Sequence, residues 1–592
     1  MLTLARFHGW LAGLLAMAAL VAPLPAQTPE AAFGADRSNH LRGTVINSVT
    51  NEPVPHALVL SPDSRFAVMT DDEGRFEFKF AAAPTIPLRG IAPSNSAAVG
   101  QPPSRPYALM ARKPGFIESY GNDPVSIAPN QDEVTVPLTP EARVIGRVTV
   151  SGSDPADRIQ VSLYQREMEG GRERWVQSPP VFTRSSGEFR FAGLAAGTYK
   201  LFTHEHMRPL TFDPREPLFG YPPIYYPATA DFDSAAVIHL AAGETFQATL
   251  SPSRRRYYPV HFPMANVVNL QISVWPQGHP GPGYSLGLSS GRGGVEGFLP
   301  DGTYTVVIRS FQSPIMIGTT NFTIAGAPFS GPAIALVPAL SIPVIVNEEM
   351  QHKPENRVSF SRRDGNQLDV NSKRPNYLSL YLSPVEEFGA AVDAGLAQPK
   401  GPEDTSLEVE NVVPGRYRVK AFIPVGYAAS LRSGNVNLLR EPLTVAPGAS
   451  PDPIEVTVRD DGAQVEGTIR SLAQAFLESG SNNTSAAHPW ALNKLLTMRH
   501  ATIRESQAFV YFVPTADSDG RFMLTIAGMD GKFQLNQVAP GRYRVLAFHR
   551  AKPELELATE DELRRYDSGS QIVEFAPSEK KSLQLEFASA NE

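Results

Sequence analysis

Two histidines flank a glutamate in the segment His204-Glu205-His206 of this 592-residue chain. Residues two apart on a β-strand point to the same face, so His204 and His206 could both reach one Zn²⁺ ion. The sequence supplies no third ligand at a recognisable spacing. The simpler interpretation, which the sequence favours, is a solvated strand end running into Arg208 and Pro209.

Two short motifs match patterns of hydrolytic enzymes. Residues 283–287 read Gly-Tyr-Ser-Leu-Gly, but this nucleophile motif needs a helix directly after the serine, and the Ser- and Gly-rich residues 288–294 cannot form one. His352 and Glu355 have the His-x-x-Glu spacing of a zinc site, yet Pro354 interrupts it. The sequence therefore predicts no catalytic residue, and we expect the protein not to be an enzyme.

Two acidic segments, at 71–74 and 517–520, resemble the start of calcium-binding loops. The glutamate that closes such a loop at its twelfth position is missing after Asp517, because Gly528 stands there. Asp-Gly clusters commonly form turns in which the carboxylate accepts hydrogen bonds from its own backbone. We expect turns between strands at both places, and no cofactor.

Exposed aromatic rings can stack on sugars, and the candidates for such a ligand site are Trp175, Trp275, Tyr225 and Tyr226. Only four tryptophans in the chain argue against a dedicated lectin. The deciding observation is whether these rings form one exposed, flat platform or point inward in separate domains.

The elements that must position these residues are indicated by a phrase that occurs four times. It consists of alternating apolar residues, a tight turn ending in Gly, and then Tyr followed by an aliphatic residue. Apolar residues two apart share one face of a strand, so each copy predicts a strand, a turn and a second strand. The Gly–Tyr pairs of the four copies are Gly197 and Tyr199, Gly302 and Tyr304, Gly415 and Tyr417, and Gly541 and Tyr543.

The Pro-Gly pairs at 414–415 and 540–541 predict type II turns, in which the glycine adopts a positive φ. The tyrosine then opens the next strand with its ring directed inward. We expect these tyrosines to pack in the core with the hydroxyl on a backbone group, because a ligand site would not need the same residue in every copy.

The four tyrosines are 105, 113 and 126 residues apart, and about 100 residues suffice for one β-sandwich. With 54 Pro, 46 Gly and few helical periodicities, the predicted fold class is all-β. We expect a tandem array of Ig-like or prealbumin-like Greek-key β-sandwiches, with one short helical insertion at 473–504 in the last. The predicted division is module one (40–140), module two (141–251), module three (252–339), module four (340–459) and module five (460–592).

Module one lacks the tyrosine phrase and carries a stretch rich in Pro, Ala and Ser at 81–106, which predicts an inserted loop. Residues 1–26 have the charged, apolar and small-residue order of a secretory signal peptide, with cleavage expected after Ala26 and a linker at 27–39. No later segment approaches the roughly 18 apolar residues of a membrane-spanning helix. We therefore expect an exported chain, periplasmic, on the outer surface or secreted, without an integral membrane segment after cleavage.

The chain contains no Cys, which excludes disulfides and a thiol nucleophile. Its net charge of −7 is dispersed, so the basic footprint of a nucleic-acid-binding protein is missing.

Three segments of module one resemble the carboxypeptidase regulatory-like domain: the Gly-x-Val strand at Gly43, the Pro-Val-x-x-Ala-x-Val segment at 53–59 and the Thr-Asp-x-x-Gly-x-Phe segment at 70–76. Module two is similar to the same prealbumin-like or carbohydrate-binding-like sandwich. The whole chain resembles tandem exported proteins of this kind from acidobacteria. The resemblance implies a seven-strand Greek-key sandwich in each module and an extracytoplasmic role. It implies no catalysis, because the family is named after an accessory domain and no catalytic domain is left over here.

The sequence therefore favours an exported, non-catalytic binding or scaffold protein of the cell envelope or exterior, in which sandwiches present loops to a partner. The alternative is a carbohydrate-binding protein, and a remote alternative is an accessory protein of a metal-dependent hydrolase. The expected partners are glycans or envelope and secreted proteins.

Overall fold

The computed structural model describes residues 40–588 with internal gaps at 62–63, 81–105, 107, 118–124, 128–130, 153, 170, 209–216, 265–268, 285–287, 292, 312–313, 353–356, 362–366, 372–373, 402, 471–507, 529 and 549–550. The predicted signal peptide and linker, the loop at 81–106 except for its last residue, and the helical insertion at 473–504 lie outside the described residues. Within them the chain is a tandem array of β-sandwiches, which confirms the predicted fold class.

The modules share one strand plan, for which we use the letters A to G in chain order. One sheet has the order D-A-G, in which A is antiparallel to D and parallel to G, and the other has the order C-B-E-F. In module one the seven strands A to G are β1 (His40–Asn47), β2 (Leu58–Leu60), β3 (Ala67–Met69), β4 (Arg75–Lys79), β5 (Ala108–Arg112), β6 (Val125–Ser126) and β7 (Glu133–Leu138).

Module two follows the same plan but sends one hairpin out of its own sandwich. Its strands are β8 (Ala142–Val148), β9 (Gln160–Glu169), β10 (Arg172–Gln177), β11 (Val181–Phe182), β12 (Glu188–Leu194), β13 (Gly197–Thr203), β14 (His206–Arg208), β15 (Leu218–Tyr221), β16 (Ile224–Tyr225), β17 (Ile238–Leu240) and β18 (Thr245–Leu250). The hairpin of β14 and β15 pairs with the first strand of module three, where Leu218 lies opposite Tyr257.

Module three departs from the plan at strand C, because β21 pairs with strand D of the opposite sheet instead of with strand B. Its strands are β19 (Arg255–Pro263), β20 (Leu270–Pro276), β21 (Leu288–Gly291), β22 (Gly294–Pro300), β23 (Gly302–Ser310), β24 (Met316–Ile324), β25 (Phe329–Ser330) and β26 (Val337–Pro338).

In module four both sheets are linked into one, because strand A pairs with D in its first half and with G in its second, and strand C pairs with both B and D. The strands are β27 (Leu340–Glu349), β28 (Arg357–Ser361), β29 (Gln367–Asn371), β30 (Ser379–Pro384), β31 (Ala394–Leu396), β32 (Glu408–Val412), β33 (Gly415–Phe422), β34 (Tyr427–Ser433), β35 (Val436–Asn437), β36 (Leu443–Val445) and β37 (Ile454–Arg459).

Module five returns to the plan with β38 (Ala463–Ile469), β39 (Ala508–Pro514), β40 (Met523–Ala527), β41 (Lys532–Val538), β42 (Gly541–Phe548), β43 (Gln571–Phe575) and β44 (Lys580–Leu585). Between β42 and β43 lie a 3-10 helix (Pro553–Glu556), helix α1 (Glu560–Leu563) and a second 3-10 helix (Arg564–Gly569). Thr559 caps α1 in a capping box with Glu562. These helices cover the outer face of the sheet, and the sequence did not predict them.

In modules one, two and five, a strand-A glycine lies directly opposite a strand-D phenylalanine. The pairs are Gly43 with Phe76, Gly146 with Phe189, and Gly467 with Phe533. A Cβ atom added to these glycines would lie 2.5, 2.5 and 2.1 Å from the ring Cζ atom. The ring therefore packs onto the bare backbone of strand A, and no larger residue fits there.

The four tyrosines of the repeated phrase are at most 2% exposed. Each hydroxyl donates a hydrogen bond to the carbonyl four residues earlier: Tyr199 to Ala195 at 2.7 Å, Tyr304 to Pro300 at 3.1 Å, Tyr417 to Val413 at 2.7 Å and Tyr543 to Ala539 at 2.8 Å. Burial raises the pKa of Tyr199, Tyr417 and Tyr543 to about 12. The hydroxyl thus ties the D–E turn to the core, as in the tyrosine corner of other β-sandwiches.

The turn before each tyrosine differs from the prediction in part. Gly541 has a φ of +145°, but Gly415 lies outside the positive-φ region, so the predicted positive φ at Gly415 is wrong. Left-handed residues occur instead six positions before the tyrosine, at Gly193, Asn411 and Gln537. Each lies in a bulge where two residues of strand D oppose one of strand A, and the bulge makes the chain turn toward strand E.

The substitution Gly541→Val is expected to destabilise module five by about 2–4 kcal/mol. A β-branched residue is strained at this φ, and its Cβ atom would lie 2.5 Å from Ser518 Oγ and 2.9 Å from Gly520 N. Native-state hydrogen exchange measures the loss module by module. The control is Gly401→Val, where nothing lies within 4 Å. An equal loss of protection in module one would contradict the modular interpretation.

Candidate functional site

His204 follows the last residue of β13 and is 8% exposed. Its Nε2 lies 2.8 Å from Ser162 Oγ, which is the contact expected of a base and a nucleophile. Ser162 is 0% exposed, however, and Nδ1 of His204 has no acceptor among the described residues to orient the ring. Ser162 and His204 therefore form a buried hydrogen bond that a substrate does not reach.

Burial lowers the pKa of His204 to about 4, so the imidazole is neutral at pH 7. His206 begins the separate strand β14 and lies opposite Tyr221 in the sheet of module three. The strand break between the two histidines gives them different surroundings. The structure brings no third metal ligand to them among the described residues.

In the described parts of the chain, one group of three potential ligand side chains has its donor atoms within 4.8 Å of one another, namely Asp231, Asp233 and His279. Burial raises the pKa of Asp231, but hydrogen bonds from Ser234 and the charge of His279 outweigh this effect, so that the pKa lies below its usual value. Asp231 also accepts the backbone N–H of Ser234 at 2.9 Å. This hydrogen bond gives Asp231 a structural role as the first residue of a turn.

Glu205 is 3% exposed and lies where the sandwiches of modules two and three meet. Its backbone N–H donates to the carbonyl of Gly283 at 3.1 Å. Burial and then the charge of Glu205 raise the pKa of Tyr284 to about 12, and they also raise that of Tyr257. Residues 283–284 of the hydrolase-like motif therefore pack at this junction. Ser285 lies outside the described residues, and strand β21 begins at Leu288 where the motif would need a helix.

The other motifs form turns and surface contacts. His352 is exposed, and its Nδ1 lies 3.3 Å from a carboxylate oxygen of Asp460, while Glu355 lies outside the described residues. Asp71 accepts the backbone N–H groups of Glu73 at 3.1 Å and Arg75 at 2.7 Å. Its carboxylate is thus used by its own turn. In the second acidic segment, Asp517 accepts the hydroxyl of Thr515 at 2.6 Å.

The four rings considered for sugar stacking do not share a surface. Tyr225 is 3% exposed and stacks on Phe202 with 5.1 Å between ring centroids. Trp175 is partly buried with its edge toward Phe232.

Tyr226 packs against the core of module two with its edge toward Phe246. Trp275 is partly buried against Val307, Ile317 and Val413, where modules three and four meet. The four rings thus belong to three separate clusters and form no exposed platform.

An aromatic cluster joins module two to module four, and we call it the two–four junction. Phe388 of module four lies with its ring centroid 4.9 Å from that of Phe232 and 5.9 Å from that of Tyr164. Lys200, 6% exposed, donates to the carbonyl of Phe232 at 2.7 Å, and its ammonium lies 4.6 Å from the Phe232 ring centroid. Trp175 closes the cluster, with its ring centroid 5.2 Å from the same ammonium.

Polar contacts surround the two–four junction. Arg166 pairs with Glu387 at 2.6 Å, and Arg172 donates to the carbonyl of Val385 at 3.2 Å. Arg174 donates to the carbonyl of Pro384.

Module five is joined to module four by a second set of contacts. Arg521 donates to the carbonyls of Ala428 at 2.9 Å and Ala429 at 2.7 Å, and Arg440 donates to that of Ser518 at 2.7 Å. Modules two, four and five are therefore in direct contact, although module three separates two from four in the sequence.

The sequence analysis missed the two–four junction, which becomes visible in the burial of β13. Five consecutive residues at the end of β13 are buried on both faces, where a strand with one wet face should alternate. Lys200 and Phe202 are the residues of this run that face the junction, and Tyr164 does the same on β9.

No helix in the described part of the chain has the length and apolar character needed to cross a bilayer.

No family profile and no curated protein matches the sequence. Among solved structures, the chain is similar to the Bacillus anthracis TIE protein, with 11% identity and a TM-score of 0.16 over 50% of this chain and 50% of that one. It is also similar to GBS52, the minor pilin of Streptococcus agalactiae, with 13% identity and a TM-score of 0.18 over 39% of this chain and 100% of that one.

The major pilin subunit BcpA of Bacillus cereus aligns at 11% identity and a TM-score of 0.12, over 54% of this chain and 99% of that one. The chain spans half the length of the TIE protein. At these TM-scores the likeness carries no argument about function, and the fold assignment rests on the strand pairing described above.

The free energy of unfolding is expected to depend on pH through His204. Its pKa is about 4 in the folded chain and about 6.5 when unfolded, so the unfolded chain binds more protons between these values. The stability contribution is fully present above pH 6.5 and is lost as the pH falls toward 4, by roughly 3 kcal/mol at most. Urea unfolding at pH 7 and pH 5 measures this loss.

The variant His204→Gln removes the titrating group, and we expect it to lose less stability between pH 7 and pH 5 than the parent chain. His239→Gln, at an exposed histidine of the same module, is the matched control and should retain the parent's pH dependence. Equal pH dependence in the parent and His204→Gln would contradict the assignment of a buried, neutral His204.

Proposed function

We propose that the protein is an exported, non-catalytic binding or scaffold protein, in which directly joined β-sandwiches hold interaction surfaces in fixed positions. The observation that carries this proposal is the two–four junction, where Phe388 inserts among rings of module two. Domains that are connected only by flexible linkers are not expected to bury aromatic rings between non-consecutive modules.

The use of the reactive side chains supports a non-catalytic role. His204 and Ser162 bond to each other inside module two, and the carboxylate of Asp71 is occupied by its own turn. A catalytic site would instead gather such groups around an accessible pocket.

Export is proposed from the signal-peptide pattern of residues 1–26. The proposed destination is the periplasm, the outer surface or the medium. Envelope or secreted proteins and glycans are the proposed partners.

Rigid joining of modules two and four is tested by pulsed electron paramagnetic resonance with spin labels at Arg190→Cys and Glu455→Cys. Both positions are exposed, and the chain has no other cysteine to label. We expect one narrow distance distribution, because the two–four junction fixes the modules relative to each other.

The variant Phe388→Ala should broaden this distribution, since it removes the ring that contacts Phe232 and Tyr164. Phe182→Ala, at a ring that is 59% exposed, is the control and should leave the distribution unchanged. A broad distribution in the parent chain would contradict the scaffold proposal.

A further inference from the structure

The outer face of strands β30 and β33 in module four carries aromatic and cationic side chains, and it is exposed where β10 of module two and Glu556 of module five do not cover it. Alternate residues of β33, from Arg416 to Phe422, face away from the core, while Tyr417 and Val419 face into it. Strand register places Tyr381 opposite Lys420 and Ser379 opposite Phe422. We call this surface the module-four face.

Two rings lie on the module-four face. Tyr381 is 52% exposed and Phe422 is 39% exposed. They are diagonal neighbours on adjacent strands, a spacing of about 7–8 Å between Cα atoms. Exposed rings in such a pair supply the flat apolar surface that the four rings named from the sequence do not.

Positive charges collect beside these rings. Arg416, Arg418 and Lys420 share one face of β33, and Arg172 and Arg174 of module two approach them from β10. Burial lowers the pKa of Arg172, and the charges of Arg418, Arg174 and Arg416 lower it further. This is the direction expected for guanidinium groups that lie close enough to repel one another.

The arginines are hydrogen-bonded mainly to neutral acceptors. Arg172 donates to the carbonyl of Val385 at 3.2 Å, and Arg418 donates to that of Arg440 at 2.7 Å. The buried Nε of Arg418 has no hydrogen-bond acceptor among the described residues. Backbone carbonyls satisfy donors but leave the positive charge uncompensated.

Carboxylates also lie beside this group. Glu386 lies 3.8 Å from Arg416, Glu556 of module five lies 2.5 Å from Lys420, and Glu167 stands opposite Arg174 in strand register. Around Arg172, the charges of three other arginines act against that of one carboxylate, Glu386, so this part of the surface is locally positive on a chain whose net charge is −7. Like charges held together on one sheet face destabilise it, so an anion bound there would be favoured.

We propose that the module-four face binds an acidic polysaccharide, with sugar rings against Tyr381 and Phe422 and sugar carboxylates on the arginines. Guanidinium groups match carboxylates in bidentate geometry. A nucleic acid fits less well, because its denser charge calls for a larger basic surface than these few side chains provide. The inference names a ligand class for the binding protein proposed above and rests on that proposal.

Isothermal titration calorimetry of the chain from Gln27 onward tests this with polygalacturonate, alginate and chondroitin sulfate as acidic probes. A neutral cello-oligosaccharide and oligothymidylate serve as comparisons. We expect saturable binding of at least one acidic probe that weakens as salt rises, and none of the neutral one. Tyr381→Ala should weaken binding at least about tenfold, and Arg416→Gln should weaken it and reduce its salt dependence.

The matched controls are Phe182→Ala and Arg190→Gln, an exposed ring and an exposed arginine of module two, which should bind as the parent does. Three flat titrations, unchanged binding in Tyr381→Ala and Arg416→Gln, or tighter binding of oligothymidylate than of every polysaccharide would overturn the inference. Failure here together with a narrow spin-label distribution would leave the scaffold proposal standing, so the two can be told apart.

Discussion

The contact between a strand-A glycine and a strand-D phenylalanine is the constraint on which the sandwiches of modules one, two and five depend. Strand A is central in its sheet, and the ring fits only because no side chain covers the backbone at Gly43, Gly146 and Gly467. In modules two and five, where strand A is held between D and G, the bulge in strand D directs the chain into the D–E turn. The buried tyrosine hydroxyl then fixes that turn against the second sheet.

Much of the fold could be predicted because its signals are local. Alternation of apolar residues and the recurrence of Gly before Tyr indicate strands and turns from a few neighbouring positions, and the all-β class is confirmed. The left-handed residues of the bulge were only partly predictable, since Gly193 and Asn411 are types that favour a positive φ but Gln537 is not. The hairpin of β14 and β15 could not be assigned to the sheet of module three either, because its partner strand lies beyond the end of its own sandwich.

The candidate site was harder to predict because exposure is decided by distant parts of the chain. Trp175 and Tyr225 were singled out as aromatic residues, but Phe232 and Phe388 help to bury the cluster in which they lie, and Phe388 is more than 150 residues away from either. Tyr381 was not singled out, because the residues next to it in the sequence resemble those around a core tyrosine. Its importance comes from a face of module four that modules two and five cover only in part.

A double-mutant cycle on Gly467 and Phe533 tests most directly whether the glycine–phenylalanine contact holds the sandwich. The atoms nearest to a Cβ at position 467 all belong to the Phe533 ring, at 2.1, 2.5 and 2.8 Å. The account predicts that Gly467→Ala destabilises module five and that adding Phe533→Leu recovers part of this loss, because the smaller side chain makes room for the new methyl group. Free energies of unfolding that simply add in the double variant would contradict it.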